Sequence, residues 1–241
     1  MLEALGNASL TIDKVHLADS NRSSAIINDI EQAAKAKKVP IEYKSRKELS
    51  YISKNSKQDQ GVAADLYLQH FYPIEAIPSN LEKADTAREK RLLLLDGVTN
   101  PQNVGMIIRS VAASGIGGLI IPKRGCADLN ALTIKASAGA VFKCPIYRSA
   151  SCEEAIQQLR LINSKIVVLD TNSSVTLETL NQHNTRIGHS EVLATIFILG
   201  NETEGVSNNI IDSADIAVKI PMYNGVESLN VATAAALVAF S

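Results

Sequence analysis

Three short polar clusters hold the side chains of this sequence that are suited to chemistry. The first reads Asn100-Pro101-Gln102-Asn103-Val104-Gly105, with Arg109 six residues beyond Asn103. The second, Gly200-Asn201-Glu202-Thr203-Glu204-Gly205, follows directly on an apolar run at 196–199. The third is Ile220-Pro221-Met222 followed by Gly225-Val226-Glu227-Ser228-Leu229-Asn230-Val231. Amides, carboxylates, a hydroxyl and a guanidinium in such loops can hold an anion, orient a substrate and stabilise developing negative charge. Each cluster also has a plain structural reading. Asn103 stands where a helix should begin and could be its N-cap, with Arg109 in the second turn as an ordinary surface arginine. The second cluster could be a tight turn, and Ser228 could cap the last helix.

Other chemistries lack their residues. There is no Gly-x-x-x-x-Gly-Lys-Ser/Thr loop, and Gly115, Gly117 and Gly118 follow a helical run instead of a strand, which makes them helix stops. Kinases and ordinary dehydrogenases are thereby removed. His16, His70, His183 and His189 have no metal-ligand spacing, so no metal is expected. No serine sits in a nucleophile elbow. Cys126, Cys144 and Cys152 are odd in number and lie 18 and 8 residues apart, which fits neither a disulfide framework nor a zinc ribbon; buried or half-buried free thiols are expected.

The elements that must position the clusters follow an α/β order, in which short β-rich runs alternate with amphipathic helical runs. In the first part, strands are expected at 10–17, 39–43 and 61–68, with helices at 23–38 and 46–53. Residues 72–90, with two prolines and no sustained period, read as a linker. A second series opens with the leucine run at 91–96, suited to a strand buried on both faces. Helices are then expected at 104–114, 130–137, from a capping-box signal at Ser151 and Glu154 to 161, and at 228–240. Strands are expected at 119–121, 145–147, 166–170, 195–199 and 216–220. Helices between the strands imply a mostly parallel sheet. The expected division is therefore 1–72, a linker at 73–90, and 91–241.

The composition agrees with a folded chain. Of 241 residues, 46% are apolar and 20% charged, with 24 basic against 25 acidic, which suits one or two domains and excludes disorder for most of the length. The longest charge-free, apolar-rich stretch, 228–241, is shorter than the roughly 20 residues of a membrane helix. Residues 1–13 have no basic cluster before an apolar run, so no secretory signal is seen and a cytoplasmic location is expected. The near-neutral total hides one basic stretch. Residues 31–57 contain eight basic and three acidic side chains, including Lys35, Lys38, Arg46 and Lys47, either a polyanion face or a solvated helix surface.

In this order, the three clusters resemble the motifs of the SpoU/TrmH-type RNA 2'-O-ribose methyltransferases of the SPOUT superfamily, over roughly residues 92–240. The first motif is similar to Asn100 to Gly105 with Arg109, the second to Leu199-Gly200-Asn201-Glu202 with Gly205, and the third, the most specific, to Pro221-Met222 and Glu227 to Val231. Asn100 stands where the family more often has Asp, at a position outside the expected catalytic groups. The first 70 residues resemble the family's small N-terminal RNA-binding domain, related to a ribosomal-protein fold. That likeness rests on the α/β order and on Asp59-Gln60-Gly61-Val62-Ala63, with Asp in place of the family's His. Met1-Leu2-Glu3-Ala4-Leu5 falls where the interior of the family's first helix would be, without the Gly-containing stretch usual before it.

The resemblance implies a C-terminal sheet with a deep trefoil knot, S-adenosylmethionine as methyl donor, no metal, RNA as partner and a homodimer with no membrane role. It implies catalytic roles for Asn103, Arg109, Glu202, Ser228 and Asn230, and cofactor contacts from Leu199, Gly200, Ile220, Met222 and Leu229. Lys35, Lys38, Arg46 and Lys47 become RNA-binding candidates. The implied reaction moves a methyl group to a ribose 2'-hydroxyl, with a guanosine of large-subunit ribosomal RNA as the leading target. Transfer RNA, or a catalytically silent RNA-binding member of the fold, is the alternative. Arg109 is expected to act as a cationic clamp, because a guanidinium is effectively always protonated and makes a poor general base.

Overall fold

The computed structural model describes residues 1–7, 10–21, 24–53, 59–67, 71–180 and 192–241. Lys54, Lys57, His70, His183 and His189 lie outside the described residues. Contacts within the chain divide it into two units, Met1–His70 and Phe71–Ser241.

The first unit runs α1 (Leu2–Gly6), β1 (Thr11–Ala18), α2 (Ala25–Ala36), β2 (Ile41–Lys44), α3 (Arg46–Ser53) and β3 (Val62–Tyr67). Its sheet has the order β2-β1-β3, with β1 parallel to β2 and antiparallel to β3. Helix α3 starts where the sequence provides a capping box: Ser45 Oγ accepts the Glu48 N–H at 3.3 Å, and Glu48 Oε2 accepts the Ser45 N–H at 2.9 Å. Leu49 is the residue α3 buries. The turn before β3 is built on Asp59, whose side chain is 1% exposed. It accepts hydrogen bonds from Gly61 N (2.9 Å), Ser53 Oγ (2.9 Å) and Arg46 Nη1 (3.2 Å).

The second unit begins with β4 (Phe71–Pro73) and α4 (Ile77–Leu81). Residues 73–90, expected as a linker, therefore start inside this unit, and Ile74, Ile77 and Leu81 are buried in its core. Proline was the misleading signal. Pro73 sits on an edge strand and Pro78 in the first turn of α4, two places that need no N–H donor. The chain continues through β5 (Arg91–Leu95), α5 (Pro101–Ser114), β6 (Gly118–Pro122), α6 (Ala131–Ala136), β7 (Ile146–Ser149), α7 (Cys152–Leu161), β8 (Lys165–Leu169), β9 (Thr195–Leu199), α8 (Asn208–Asp212), β10 (Ile216–Val218) and α9 (Val231–Phe240).

Seven strands form one sheet of order β10-β8-β9-β5-β6-β7-β4, and every pairing in it is parallel. Leu92 to Leu95 are wholly buried, alternating between two cores. Leu93 and Leu95 pack with residues of α5 and α9, and Leu92 and Leu94 with residues of α4, α7 and α8. Burying each of these side chains is worth about 2 kcal/mol, which makes the leucine run the centre of the fold. Strand β9 follows β8 in the chain yet lies between β8 and β5, so the connections reverse direction here. Such a switch point is where parallel α/β sheets hold ligands.

Candidate active site

Because the strands are parallel, the segments after β5, β9 and β10 all leave one edge of the sheet. Leu95 pairs with Leu199, which brings residues 96–100 beside 200–207. Asp96 fastens the two: its N–H donates to Leu199 O at 2.8 Å, and its Oδ2 accepts Ser207 N and Oγ at 2.8 and 2.6 Å. Asn201 shapes the next turn. Its Oδ1 accepts the N–H groups of Thr203 (2.8 Å) and Glu204 (2.7 Å), and its backbone exchanges two hydrogen bonds with Gly205, leaving Glu202 inside the turn. A Cβ on Gly200 would overlap the backbone of Gly205, so this fold-back requires glycine.

The first turn of α5 supplies the next group. Asn100, not Asn103, is the N-cap: its Oδ1 accepts Gln102 N at 2.9 Å, and Pro101 occupies the first helical position. The helix thus begins three residues earlier than expected, and the Asn103 carboxamide is released from capping. It is 8% exposed. Asn103 Nδ2 donates to Glu202 Oε1, and Asn103 Oδ1 accepts Asn230 Nδ2 at 3.1 Å. A carboxylate only accepts, so Glu202 fixes which way the Asn103 amide points. Asn230 also caps α9, its Oδ1 accepting Ala232 N at 2.9 Å, a role that sequence reading had offered to Ser228. The expected helix 228–240 accordingly starts at Val231. Gly105 lets α5 approach α6, since a Cβ there would stand 2.6 Å from Thr133 O.

One chain thus links Glu202, Asn103 and Asn230 across residues 99 and 127 positions apart. Arg109 and Ser228 do not join them. Arg109 is exposed, about 120° around α5 from Asn103 at 3.6 residues per turn, and among the described residues neither side chain makes a hydrogen bond or ion pair. Of the expected cofactor contacts, Leu199 is buried and Ile220 packs on the same core. Gly200, Ile220, Met222 and Leu229 are half-buried at or beyond the strand ends. Asp96 and Ser207 stand outside the three clusters; for Asp96 the available signal is a polar residue directly after an apolar strand, whereas Ser207, eight residues beyond β9, carries none.

The thiols are not poised as nucleophiles. Burial pushes Cys144 up to about 12, and burial likewise raises Cys126 and Cys152. Among the described residues no group of three potential metal ligands occurs, and no helix is long and apolar enough to cross a membrane.

In the first unit, Lys35 and Lys38 sit at the C-terminal end of α2, where the helix dipole favours cations for structural reasons alone. Arg46 is paired with Asp59. Lys47 is exposed on α3 and unpaired among the described residues.

A parallel sheet with helices on both faces and a linked polar group at its strand ends belongs to the class of α/β proteins that hold ligands at a switch point. The pattern of the SpoU rRNA Methylase family matches residues 90–240, and that of RNA 2'-O ribose methyltransferase substrate binding matches residues 1–70. The chain belongs to the SpoU rRNA Methylase family. A protein of Staphylococcus epidermidis named for the TrmH family of tRNA/rRNA methyltransferases is 29% identical over 229 residues, 95% of this chain and 86% of that one. A namesake from Staphylococcus haemolyticus is 28% identical over 231 residues, 95% and 87% of the two chains. Two solved structures share the fold. The AdoMet-bound SpoU methyltransferase AviRb of Streptomyces viridochromogenes has a TM-score of 0.76 at 21% identity, covering 99% of this chain and 84% of its own. An AdoMet-bound rRNA methyltransferase of Sinorhizobium meliloti has a TM-score of 0.73 at 23% identity, covering 99% and 82%.

Proposed function

We propose that this chain transfers a methyl group from S-adenosylmethionine to a ribose 2'-hydroxyl of RNA. A guanosine of large-subunit ribosomal RNA is the proposed target and transfer RNA the other candidate. The observation that carries this reading is the hydrogen-bonded link from Glu202 through Asn103 to Asn230, which ties three separate segments together at the switch point. Family membership and the substrate-binding match over residues 1–70 support RNA as substrate.

When bound, S-adenosylmethionine supplies a methyl carbon activated by its sulfonium. The half-buried Gly200, Ile220, Met222 and Leu229, with Leu199 beneath, combine backbone polar groups with apolar walls and fit such a cofactor. A ribose hydroxyl is a poor nucleophile, so rate must come from alignment and from stabilising negative charge on its oxygen. Asn103 and Asn230 are held in fixed orientations by Glu202 and by each other, which keeps their dipoles preorganised. Arg109 acts as a cationic clamp on the adjoining phosphate. Its position around α5 supports delivery to the Asn103 of a second copy, so a homodimer is part of the reading, as are Ser228 at the hydroxyl, the trefoil knot and a cytoplasmic setting.

Incubation with labelled S-adenosylmethionine and ribosomal or transfer RNA, followed by mass spectrometry of ribose-methylated nucleosides, tests the reaction and the target. RNA binding without methyl transfer would leave the silent reading in its place. Mixing Arg109→Ala subunits with Asn103→Ala subunits is expected to restore part of the activity; no restoration would place Arg109 within its own subunit.

A further inference from the structure

Helix α3 carries an aromatic ring that the fold does not use. Tyr51 is 86% exposed and lies on the side of the helix away from the buried Leu49. Lys47, four residues earlier, shares its face. With Lys44, Glu48, Ser50 and Ile52 these two line a shallow depression of about 660 Å³. The neighbouring carboxylates are turned to other groups. Glu48 accepts Ser45 N and Oγ, at 2.9 and 2.6 Å; Glu42 bridges Lys14 and Lys44; Asp59 is buried beneath Arg46. Lys47 has no ion pair among the described residues. The depression therefore presents a free ammonium beside an exposed ring, within the stretch 31–57 that carries eight basic and three acidic residues.

A planar heterocycle can stack on a phenol ring while its phosphate meets an ammonium, and only an unpaired base offers that face. We propose that the depression holds one unstacked base of single-stranded RNA, its ring on Tyr51 and its phosphate on Lys47. The proposal rests on the reading that RNA is the substrate, and it names a subsite for it.

The test uses the full chain and a short single-stranded oligoribonucleotide carrying 2-aminopurine, whose emission is quenched by stacking. Tyr51→Ala is expected to weaken binding about tenfold or more and to remove the quench. Tyr51→Phe keeps both, because the ring and not the hydroxyl is used. Lys47→Gln lowers the salt dependence of the binding constant by about one phosphate, a slope change of roughly 0.7, and keeps the quench at saturation. Tyr67→Ala, at another exposed tyrosine, changes neither. Unaltered melting curves show that each variant folds. Wild-type binding and quench in Tyr51→Ala, or competition by duplex RNA as strong as by single strands, overturns the subsite. Methylation by the wild type together with a silent Tyr51→Ala removes the subsite and leaves the reaction standing. A Tyr51-dependent quench in a protein that methylates no RNA does the reverse.

Discussion

The edge of the seven-stranded sheet and the outer face of α3 treat polar side chains in opposite ways. At the sheet edge, Asp96, Asn100, Asn103, Asn201, Glu202 and Asn230 each have a partner within the chain. On α3, Lys47 and Tyr51 have none among the described residues, while Glu48 beside them is committed to the helix cap. Dipoles that are already aligned serve reaction, because nothing need reorganise as charge develops. Solvated side chains without partners serve capture, because the ligand completes them. One chain holds both arrangements, in separate units.

The largest expected effect would break the rigid side of this contrast. Gly200→Ala forces a Cβ into the Gly205 backbone and should cost about 3 kcal/mol of stability, with loss of S-adenosylmethionine binding. A denaturant midpoint unchanged from wild type would show that the turn is not held as described. Next, Asn103→Ala removes the centre of the Glu202–Asn230 link, and methyl transfer is expected to fall about 30- to 100-fold with RNA affinity little changed. Single-turnover rates decide it, and a parallel loss of RNA affinity would merge the two roles.

A smaller effect separates the units by pH. The Cys144 thiol titrates near 9.0 when unfolded and about 12 when folded, so the folded state holds its proton longer. Its stabilisation is complete below pH 9 and is lost between about pH 9 and 12, at up to about 1.4 kcal/mol per pH unit. Melting followed at pH 8 and pH 10 should show this in the wild type and less of it in Cys144→Ala. The smallest effect sharpens the other side. Ser45→Ala opens the α3 capping box and should cost about 1 kcal/mol, read by hydrogen exchange in α3, without altering S-adenosylmethionine affinity.

Sequence periodicity is legible where one physical cause dominates. The leucine run of β5, the strand Thr195–Leu199 and the helix Arg46–Ser53 lie within a residue of expectation, because burial on both faces or a strong cap leaves few alternatives. The start of α5 differs from expectation because Asn100 and Asn103 are both acceptable caps and only the position of Pro101 separates them. The Glu202–Asn103–Asn230 link is not written in any spacing. It arises from parallel pairing across the sheet, and motif resemblance alone placed those residues together in advance. Resemblance also grouped Arg109 and Ser228 with them, which the single chain does not do.

The position of β9 has a consequence for the order in which the protein is made. This central strand is synthesised after β8, its outer neighbour, so β5 and β8 must wait or part to admit it, and Glu202 reaches Asn103 only then. A nascent chain emerging from the ribosome would complete α3 early and the polar link near the end of translation. On the proposed reading, affinity for RNA would thus precede turnover during biogenesis, and recovery of activity on refolding would wait for β9 and the segments that follow it.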